Sequence, residues 1–534
     1  MFIVEFCKIS AVILGMSIQK KILILITCTG LMLLSAGYKS SNDRFAKLST
    51  LAKLVNIIYS NYVEDVDMDD VLEGAIVGML EELDPHSTYI PKKEFEEVRE
   101  QFAGEFEGIG IEFDILDGYI TVISPIPGTP SERAGLQSGD KIVKIDDESA
   151  YNIEQKDVVK KLRGPKGSSV DVTIKRMGQK ELLDVTLVRA KIPLVSVLAS
   201  FMIDESTGYI KINRFASNTA YEVEEALIEL ENQNMEQLII DFRNNGGGLL
   251  GQAVQIVDLF VNTRDTIVFT QGRIPGSNEV HFSNKQNDDR HYPVIAIINR
   301  GSASASEIVT GALQDLDRGL IIGETSFGKG LVQRQYELPD ESAARITIAR
   351  YYTPSGRLIQ REFENVEDYY RNLRNKNREL NDSTVADRPL YFTRKGRKVY
   401  GGGGITPDIF IQDTTKYTKS TIKLLTSPER YLFNYGSLLK ENIGLRYEDY
   451  DAFERYYIFG ESDRQELFNW LEDSKFEFEE EQLDDDIDII ENRLLAEIAG
   501  ALWGKEFSYH KRLQLDKQIL IALENIDEAW KILN

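Results

Sequence analysis

The sequence predicts a multidomain α/β protein with helical regions near both ends. Its 534 residues are enough for two to four domains. Two stretches, residues 238–260 and 294–316, each pass from an apolar strand through a turn of small residues into a helix. This repeated order implies parallel strands in one sheet with helices packed on it. Apolar residues also recur at helical spacing near residues 48–80 and 494–503.

Composition excludes several classes of protein. The formal net charge of −24 argues against a nucleic-acid-binding surface. The two cysteines, Cys7 and Cys28, both lie near the start of the chain. The rest of the chain therefore has no disulfide, no thiol nucleophile and no cysteine metal site. With only four scattered histidines, a zinc site is not expected, and no metal or other cofactor is predicted.

Residues 1–38 are predicted to form a signal peptide or a membrane anchor. Lys20 and Lys21 precede the apolar run Ile22–Gly37, which ends in small residues. That run has 16 residues, fewer than the roughly 20 that a full membrane span needs. The positive flank favours export. We expect an exported protein of the periplasm or cell envelope, and anchoring to the inner membrane stays open.

Residues 39–101 are predicted to be helical, up to a break at Leu83–Tyr89 (LDPHSTY). His86, within that break, is expected to have a structural role. Residues 102–190 are rich in predicted strands, such as 108–113, 119–123 and 141–145. A second domain boundary is therefore expected near residue 101.

Residues 191–415 are predicted to form the α/β unit. One strand, Leu238–Arg243, ends in a run of three glycines at positions 246–248. The next, Val294–Ile298, leads through a small-residue turn into a helix that ends before Gly319. Ser304 and Glu307 have the spacing of a capping box at the start of that helix.

Ser304 has two interpretations. Its hydroxyl lies at a strand-to-helix turn, next to helix-start amides that have no intrahelical acceptor, which suits a nucleophile. A serine at this position is also a common helix cap. Glu307, and Asp315 further along the helix, are expected to anchor the helix rather than to take part in chemistry.

A nucleophilic serine needs a base, and Lys329 is the candidate. None of the four histidines, at positions 86, 281, 291 and 510, lies in a sequence context typical of catalysis. Lys329 lies between Gly328 and Gly330, which allow close approach. Burial would have to lower its pKa from about 10.4 to about 7–8 for it to act as a base. The alternative interpretation is a solvated loop lysine.

The segment Gly323–Gly330 also nearly matches a phosphate-binding loop. It fails at its last position, because Gly330 has no hydroxyl to bind magnesium. The residues that follow, Leu331–Tyr336, alternate like a strand, whereas a phosphate-binding loop opens a helix. A nucleotide site is therefore not expected.

The stretches GSASASE (301–307), ALQD (312–315) and GETSFGKGLVQ (323–333) together resemble the C-terminal processing peptidases, or tail-specific proteases. These are serine proteases that use a Ser/Lys pair. Lys329 lies 25 positions after Ser304, which matches the family's spacing. The resemblance implies that Ser304 is the nucleophile, that Lys329 is the general base and that Gln333 orients the lysine.

The resemblance covers residues 43–412 and includes RNNGGG (243–248) and GGITPD (403–408). It implies that residues 191–415 form a crotonase-like α/β protease core. It also implies that the backbone N–H groups of Gly247 and Ala305 hold the oxyanion.

Residues 102–190, with AGLQSGDKIVKID at 134–146, resemble a PDZ domain. In that case the substrate-binding residues, Gly108, Ile109, Gly110 and Ile111, would hold a chain-terminal carboxylate, and the substrate would add as a strand to the sheet edge. The two glycines alone would also fit a plain strand bend. Arg163 matches a family arginine that links the position of the PDZ domain to the active site, which implies a regulatory role.

Residues 416–534 lie outside the resemblance and are predicted to form a helical C-terminal domain. The whole pattern predicts a serine endopeptidase that recognises protein substrates by their exposed C-termini. The alternative is an inactive PDZ scaffold or adaptor. A homo-oligomer or an adaptor partner stays open.

Overall fold

The computed structural model describes residues 46–261, 263–284, 290–363, 369, 388–412 and 415–534. The predicted signal peptide or anchor, residues 1–38, lies outside these ranges. Within them, no helix is both long and apolar enough to cross a bilayer. The chain divides into two compact units, residues 1–82 and residues 83–534.

The first unit is helical, as predicted. Residues 46–61 form a helix, and helix α1 (Met68–Glu81) follows. The side chain of Asp67 accepts a hydrogen bond from the backbone N–H of Asp69 at 2.9 Å and so caps α1.

The second unit opens with a strand that the sequence did not indicate. Strand β1 (Thr88–Ile90) lies inside the region that was predicted to be helical, and helix α2 (Lys92–Ala103) comes directly after it. The break at LDPHSTY is thus a turn at residues 83–86 that leads into this strand. Its strand partner, described below, lies more than 250 positions further along the chain.

The PDZ region is a strand-rich domain. Its elements are β2 (Glu105–Gly108), β3 (Ile111–Leu116), β4 (Tyr119–Pro125), α3 (Pro130–Arg133), β5 (Lys141–Ile145), β6 (Glu148–Ser149), α4 (Gln155–Leu162), β7 (Ser169–Lys175), β8 (Leu183–Val188) and β9 (Ala190–Pro193). The main sheet has the order β3-β4-β5-β7-β8, with β6 beside β5, so β3 is an edge strand. Helix α4 contributes Val158 and Leu162 to its buried core.

The α/β unit follows. Its elements are β10 (Val197–Met202), β11 (Thr207–Ile212), α5 (Thr219–Asn232), β12 (Gln237–Asp241), α6 (Leu250–Asp258), β13 (Thr266–Gly272), β14 (Val280–Phe282), β15 (Val294–Ile298), α7 (Ala305–Asp315), β16 (Leu320–Gly323), β17 (Leu331–Glu337), β18 (Ala343–Tyr352), β19 (Leu390–Phe392), β20 (Lys398–Tyr400) and β21 (Ile409–Phe410). One sheet has the order β10-β11-β12-β15-β16-β21. Strands β11, β12, β15, β16 and β21 pair in parallel, as the two strand–turn–helix patterns predicted.

A second sheet is antiparallel, and its strand β17 begins two residues after Lys329. Its order is β1-β18-β13-β14, with β17 also paired to β18. Strand β1 forms because Thr88 to Ile90 pair with Arg345 to Ala343 of β18. The strand β17 directly follows Gly330, where a phosphate-binding loop would have a helix. The strand predicted from the alternation of residues 331–336 is therefore confirmed.

The C-terminal region is helical, as predicted. Its helices are α8 (Lys419–Thr426), α9 (Tyr431–Arg446), α10 (Tyr450–Tyr456), α11 (Glu461–Asp473), α12 (Glu480–Asp485), α13 (Ile487–Leu502), α14 (Lys505–Leu513), α15 (Lys517–Glu524) and α16 (Ile526–Leu533). Helices α8–α13 bury a cluster of their own, centred on side chains such as Phe453, Leu467 and Leu494.

The last part of this region packs on the α/β unit. Leu513, Ile519 and Ala522 pack on side chains of the parallel sheet such as Tyr209 and Ile239. Helices α5, α6 and α7 cover the opposite face. A mostly parallel sheet must be covered on both faces. The apolar spacing at residues 494–503 falls in α13, and the helical character predicted for residues 416–534 did not indicate the surface on which the last helices pack.

Candidate active site

Ser304 lies immediately before α7 and has an unusual backbone conformation. Its φ of 54° and ψ of −109° are rare for a residue with a side chain and cost about 1–3 kcal/mol. Its surroundings hold it there. Its N–H donates to Glu307 Oε2 at 2.7 Å, and its carbonyl accepts from the hydroxyl of Tyr351 at 3.2 Å. Strained residues of this kind concentrate at functional sites.

Lys329 lies in the connection between β16 and β17, and its amine is directed by a neighbour. Nζ donates to Gln333 Oε1 at 2.7 Å, and the Gln333 amide in turn donates to the backbone carbonyl of His86. The lysine side chain is half-buried. Burial lowers its pKa to about 8, the positive charge of Arg345 adds to this, and the carboxylate of Glu307 opposes it. The alternative of a fully solvated lysine is therefore wrong.

Glu307 joins the serine turn to the lysine segment. It is fully buried, and Oε2 accepts the N–H of Ser304 at 2.7 Å and that of Lys329 at 2.9 Å. Both bonds end on one oxygen, so the two backbone nitrogens are at most about 5.6 Å apart, the sum of the two lengths. Oε1 accepts from Gly328 N–H at 2.7 Å and from the Ser326 hydroxyl at 2.5 Å. The anchoring role predicted for Glu307 thus extends well beyond its own helix.

The glycine loop at residues 244–248 packs against the serine turn. Asn245 O accepts from Ala303 N–H at 2.9 Å and from the Ser306 hydroxyl at 3.0 Å. Gly247 has a φ of 93°. A Cβ at this position would lie 2.6 Å from the carbonyl oxygen of Ala303 and 2.8 Å from Cβ of Ser304. The loop therefore approaches the serine as closely as a glycine allows.

The two predicted oxyanion donors are neighbours, but their N–H groups differ in whether they already donate a hydrogen bond. Ala305 is the first residue of α7, so its N–H has no acceptor within the helix. The N–H of Gly247 donates to Asn245 Oδ1 at 2.9 Å. It would have to turn away from Asn245 in order to bind an oxyanion. The role of the pair stays a prediction.

Gly247→Ala is expected to lower kcat by about 10²-fold, the typical effect of losing one oxyanion donor. The reason is the positive φ together with the close contact to backbone and to Ser304. Gly246→Ala is the matched control, because a Cβ there meets nothing within 4 Å. Steady-state kinetics of both variants on one peptide substrate would check this. Equal activities would show that the loop geometry at Gly247 does not matter.

The residues predicted to bind the substrate C-terminus lie in the PDZ domain, not beside Ser304. Gly108 ends β2 and Ile111 begins β3. The carbonyl of Ile109 accepts from the Ser131 hydroxyl at 2.7 Å, and that of Gly110, whose φ is 83°, accepts from the Thr129 hydroxyl at 3.1 Å. The loop carbonyls are thus engaged on the side of α3, and the following strand is a sheet edge. Peptide binding by these residues stays a prediction.

Arg163 contacts helix α2 and strand β2 rather than the lysine. Its guanidinium donates to Glu100 Oε2 at 2.5 Å and lies over the ring of Phe106, 4.4 Å from its centroid. Helix α2 also carries Phe102, whose ring lies 5.6 Å from the guanidinium carbon of Arg345. Arg345 is the residue whose charge lowers the pKa of Lys329. The regulatory role of Arg163 stays a prediction.

His86 supports the site through contacts that its sequence context did not indicate. Its carbonyl holds Gln333 across 247 positions of the chain, and its ring Nε2 lies 3.0 Å from the hydroxyl of Tyr369. The pKa of His86 is lowered to about 4, mainly by burial and also by the charge of Lys329. A neutral ring held in this way fits the structural role that was expected. The break at LDPHSTY was the one local signal.

No group of His, Cys, Asp and Glu side chains within the described ranges is arranged to hold a metal ion. The groups that the site brings together are a hydroxyl, an amine with a lowered pKa and backbone amides. This set is sufficient for acyl transfer by a Ser/Lys pair.

Comparisons with known proteins agree with this chemistry. The family model described as Peptidase family S41 matches residues 206–368, a PDZ model matches 121–176, and the model of the N-terminal domain of the activating protease CtpB matches 31–94. The carboxy-terminal processing protease CtpB of Bacillus subtilis is 38% identical over 330 residues, 61% of this chain and 68% of that protein. The carboxy-terminal-processing protease of Bartonella bacilliformis is 36% identical over 337 residues, 62% of this chain and 77% of that protein.

A third relative, the carboxy-terminal processing protease CtpA of Bacillus subtilis, is 35% identical over 327 residues, 61% of this chain and 69% of that protein. All three relatives are named as proteases, which argues against the alternative of an inactive scaffold. The chain therefore belongs to peptidase family S41 and is a carboxy-terminal processing serine protease with a PDZ domain.

Proposed function

We propose that Ser304 is the nucleophile, Lys329 the general base and Gln333 the residue that orients the base. The observation that carries this proposal is the convergence on Glu307. One buried carboxylate holds the backbone of both Ser304 and Lys329, while Gln333 holds the lysine amine at 2.7 Å. The lowered pKa of Lys329, about 8, leaves part of the amine unprotonated near neutral pH.

The reaction follows from these positions. Neutral Lys329 Nζ takes the hydroxyl proton while Ser304 Oγ bonds to the carbonyl carbon of the substrate. The amide N–H groups of Gly247 and Ala305 stabilise the oxyanion of the tetrahedral intermediate. The C–N bond then breaks, and the protonated lysine returns its proton to the leaving amine. A water molecule, deprotonated by the same lysine, hydrolyses the acyl-enzyme.

We propose that the PDZ domain binds the C-terminal end of the substrate. The segment of Gly108, Ile109, Gly110 and Ile111 leads into an edge strand. A peptide can add to such an edge by backbone hydrogen bonds, while backbone amides of the loop hold its terminal carboxylate. The chain upstream of that terminus would then be cleaved at Ser304.

We also propose that the protein is exported to the periplasm or cell envelope, anchored through or cleaved within residues 1–38. Support comes from the sequence alone: two lysines followed by 16 apolar and small residues. Homo-oligomerisation and an adaptor partner also stay predictions, which the size of the purified protein in solution would test.

The proposed roles can be tested with one peptide in two forms. A serine-directed fluorophosphonate is expected to label the wild type and not Ser304→Ala, and only the wild type should cleave. Amidation of the peptide C-terminus is expected to raise KM by about tenfold with little change in kcat, because it removes the carboxylate that the PDZ loop would hold. Labelling that persists in Ser304→Ala would refute the nucleophile, and an unchanged KM would refute the PDZ role.

A further inference from the structure

The residue just before the glycine loop, Arg243, is held by the C-terminal helices. Its Nη1 donates to Asp516 Oδ2 at 2.7 Å and to Gln518 Oε1 at 3.0 Å. On its other side, Nε and Nη2 bind the carboxylate of Asp241 at 2.6 to 3.0 Å. The Arg243 side chain is only 15% exposed. The guanidinium is therefore fixed between the end of strand β12 and the start of helix α15.

The groups that hold Arg243 are themselves fixed. Asp516 is the N-cap of α15, and its Oδ1 accepts the N–H groups of Gln518 at 3.0 Å and Ile519 at 3.2 Å. The Gln518 amide donates to the carbonyl of Ile411 at 2.9 Å. One carboxylate oxygen of Asp516 thus caps a helix while the other holds the arginine.

A short series of hydrogen-bonded residues links Arg243 to the turn that holds Ser304. The backbone carbonyl of Arg243 accepts from Lys211 Nζ at 2.7 Å. The next residue, Asn244, has a φ of 60° and donates its N–H to Asn299 Oδ1 at 2.9 Å. Asn245 then bonds the serine turn and the N–H of Gly247. Arg243 is therefore joined to the residues around Ser304 by a continuous series of bonded neighbours.

We propose that Asp516 and Gln518 are positioning residues for the oxyanion loop, acting through Arg243. This inference rests on the proposed roles of Ser304 and Gly247. Both residues lie at the start of α15, outside the ranges that the family models match. Oxyanion stabilisation needs donors placed to within a fraction of an ångström, so loss of the clamp lowers the rate without removing any group that touches substrate.

The test is Asp516→Asn. Asparagine caps a helix as well as aspartate does, so α15 keeps its cap while the carboxylate partner of Arg243 is lost. We expect kcat to fall about tenfold, part of the loss that removal of one oxyanion donor causes, with KM within about twofold. A peptide aldehyde, whose adduct with Ser304 places an oxygen in the same site, should bind weaker by a similar factor. The pH dependence of kcat should keep its shape, because Lys329 is not touched.

Arg512→Gln is the matched control. Arg512 lies four positions before Asp516 and pairs with Glu497 of helix α13 at 2.9 Å. It should leave kcat and aldehyde affinity unchanged. The proposal is overturned if Asp516→Asn keeps the wild-type kcat and aldehyde affinity, if it shifts KM or the pH profile instead, or if Arg512→Gln loses as much activity. Cleavage by Ser304→Ala would instead refute the proposed function and is measured separately.

Discussion

Replacement of Lys329 by methionine is expected to lower kcat/KM by about 10³-fold or more, since a general base typically contributes about 10²–10⁴-fold. Methionine has a similar length and no proton acceptor, so the pocket stays filled while the hydroxyl of Ser304 loses its base. With a pKa of about 8, roughly a tenth of the amine is neutral at pH 7, against about one part in 3,000 at the ordinary value of 10.5. Steady-state kinetics on one peptide would measure the loss.

The same residue predicts the pH dependence of the rate. Since only neutral Lys329 accepts the serine proton, wild-type kcat should rise with pH through an acid limb near pH 8 and then level off. Lys92→Met is the matched control, because Lys92 is 60% exposed and pairs with Glu341 on the surface. The Lys92→Met enzyme should retain the wild-type kcat and its acid limb near pH 8. A Lys329→Met enzyme with near-normal turnover would refute the Ser/Lys mechanism.

Lys329→Met should also be more stable than the wild type, by up to about 3 kcal/mol at pH 7. The folded-state pKa of Lys329 is lowered, so the unfolded chain binds this proton more tightly. The resulting penalty on folding is complete below pH 8 and disappears above the unfolded pKa of 10.5. Urea denaturation of both proteins at pH 7 and near pH 10 should therefore show a gap that narrows as the pH rises. A gap that stays constant would contradict the lowered pKa.

Glu307→Gln is expected to lower both activity and stability. The carboxylate accepts four donors, two on each oxygen, and an amide offers only one acceptor atom. Two buried donors would lose their partner, at a cost of about 1–3 kcal/mol each. The link between Ser304 and Lys329 would also loosen, and we expect kcat to fall by about 10²-fold, as is typical for a misplaced catalytic group. Urea denaturation and steady-state kinetics would measure the two losses.

The loss of charge in this variant has a second, separable effect. The carboxylate of Glu307 raises the pKa of Lys329 against the dominant effect of burial. Its removal should move the acid limb of kcat to lower pH while the plateau falls. Glu307→Asp is the control, since it keeps the charge on a shorter side chain. Its kcat should fall, but its acid limb should move less than that of Glu307→Gln. An unshifted limb in Glu307→Gln would show that this carboxylate does not act on the lysine.

Local patterns in the sequence were enough to predict the main elements and the candidate pair. Apolar runs followed by turns of small residues predicted parallel strands and the helix after Ser304, because strand and helix periodicity is written within a few residues. The resemblance of residues 301–333 pointed to Ser304, Lys329 and Gln333. In the structure, the carboxylate of Glu307 accepts the backbone N–H groups of Ser304 and Lys329. The side-chain oxygen of Gln333 accepts from the lysine amine. Their catalytic roles stay predictions, which the variants above test.

Only the tertiary structure decided what holds these residues in place. The carbonyl of His86 reaches Gln333 across 247 positions, and Asp516 reaches Arg243 across 273. It also showed that Asn245 engages the amide of Gly247, that β1 is a strand and that the last helices cover the core sheet. Contacts of this kind depend on which surfaces meet when the chain packs. Local periodicity carries no record of a partner hundreds of residues away. Residue patterns therefore predicted the elements and the candidate residues, whereas packing of distant segments decided which contacts support them.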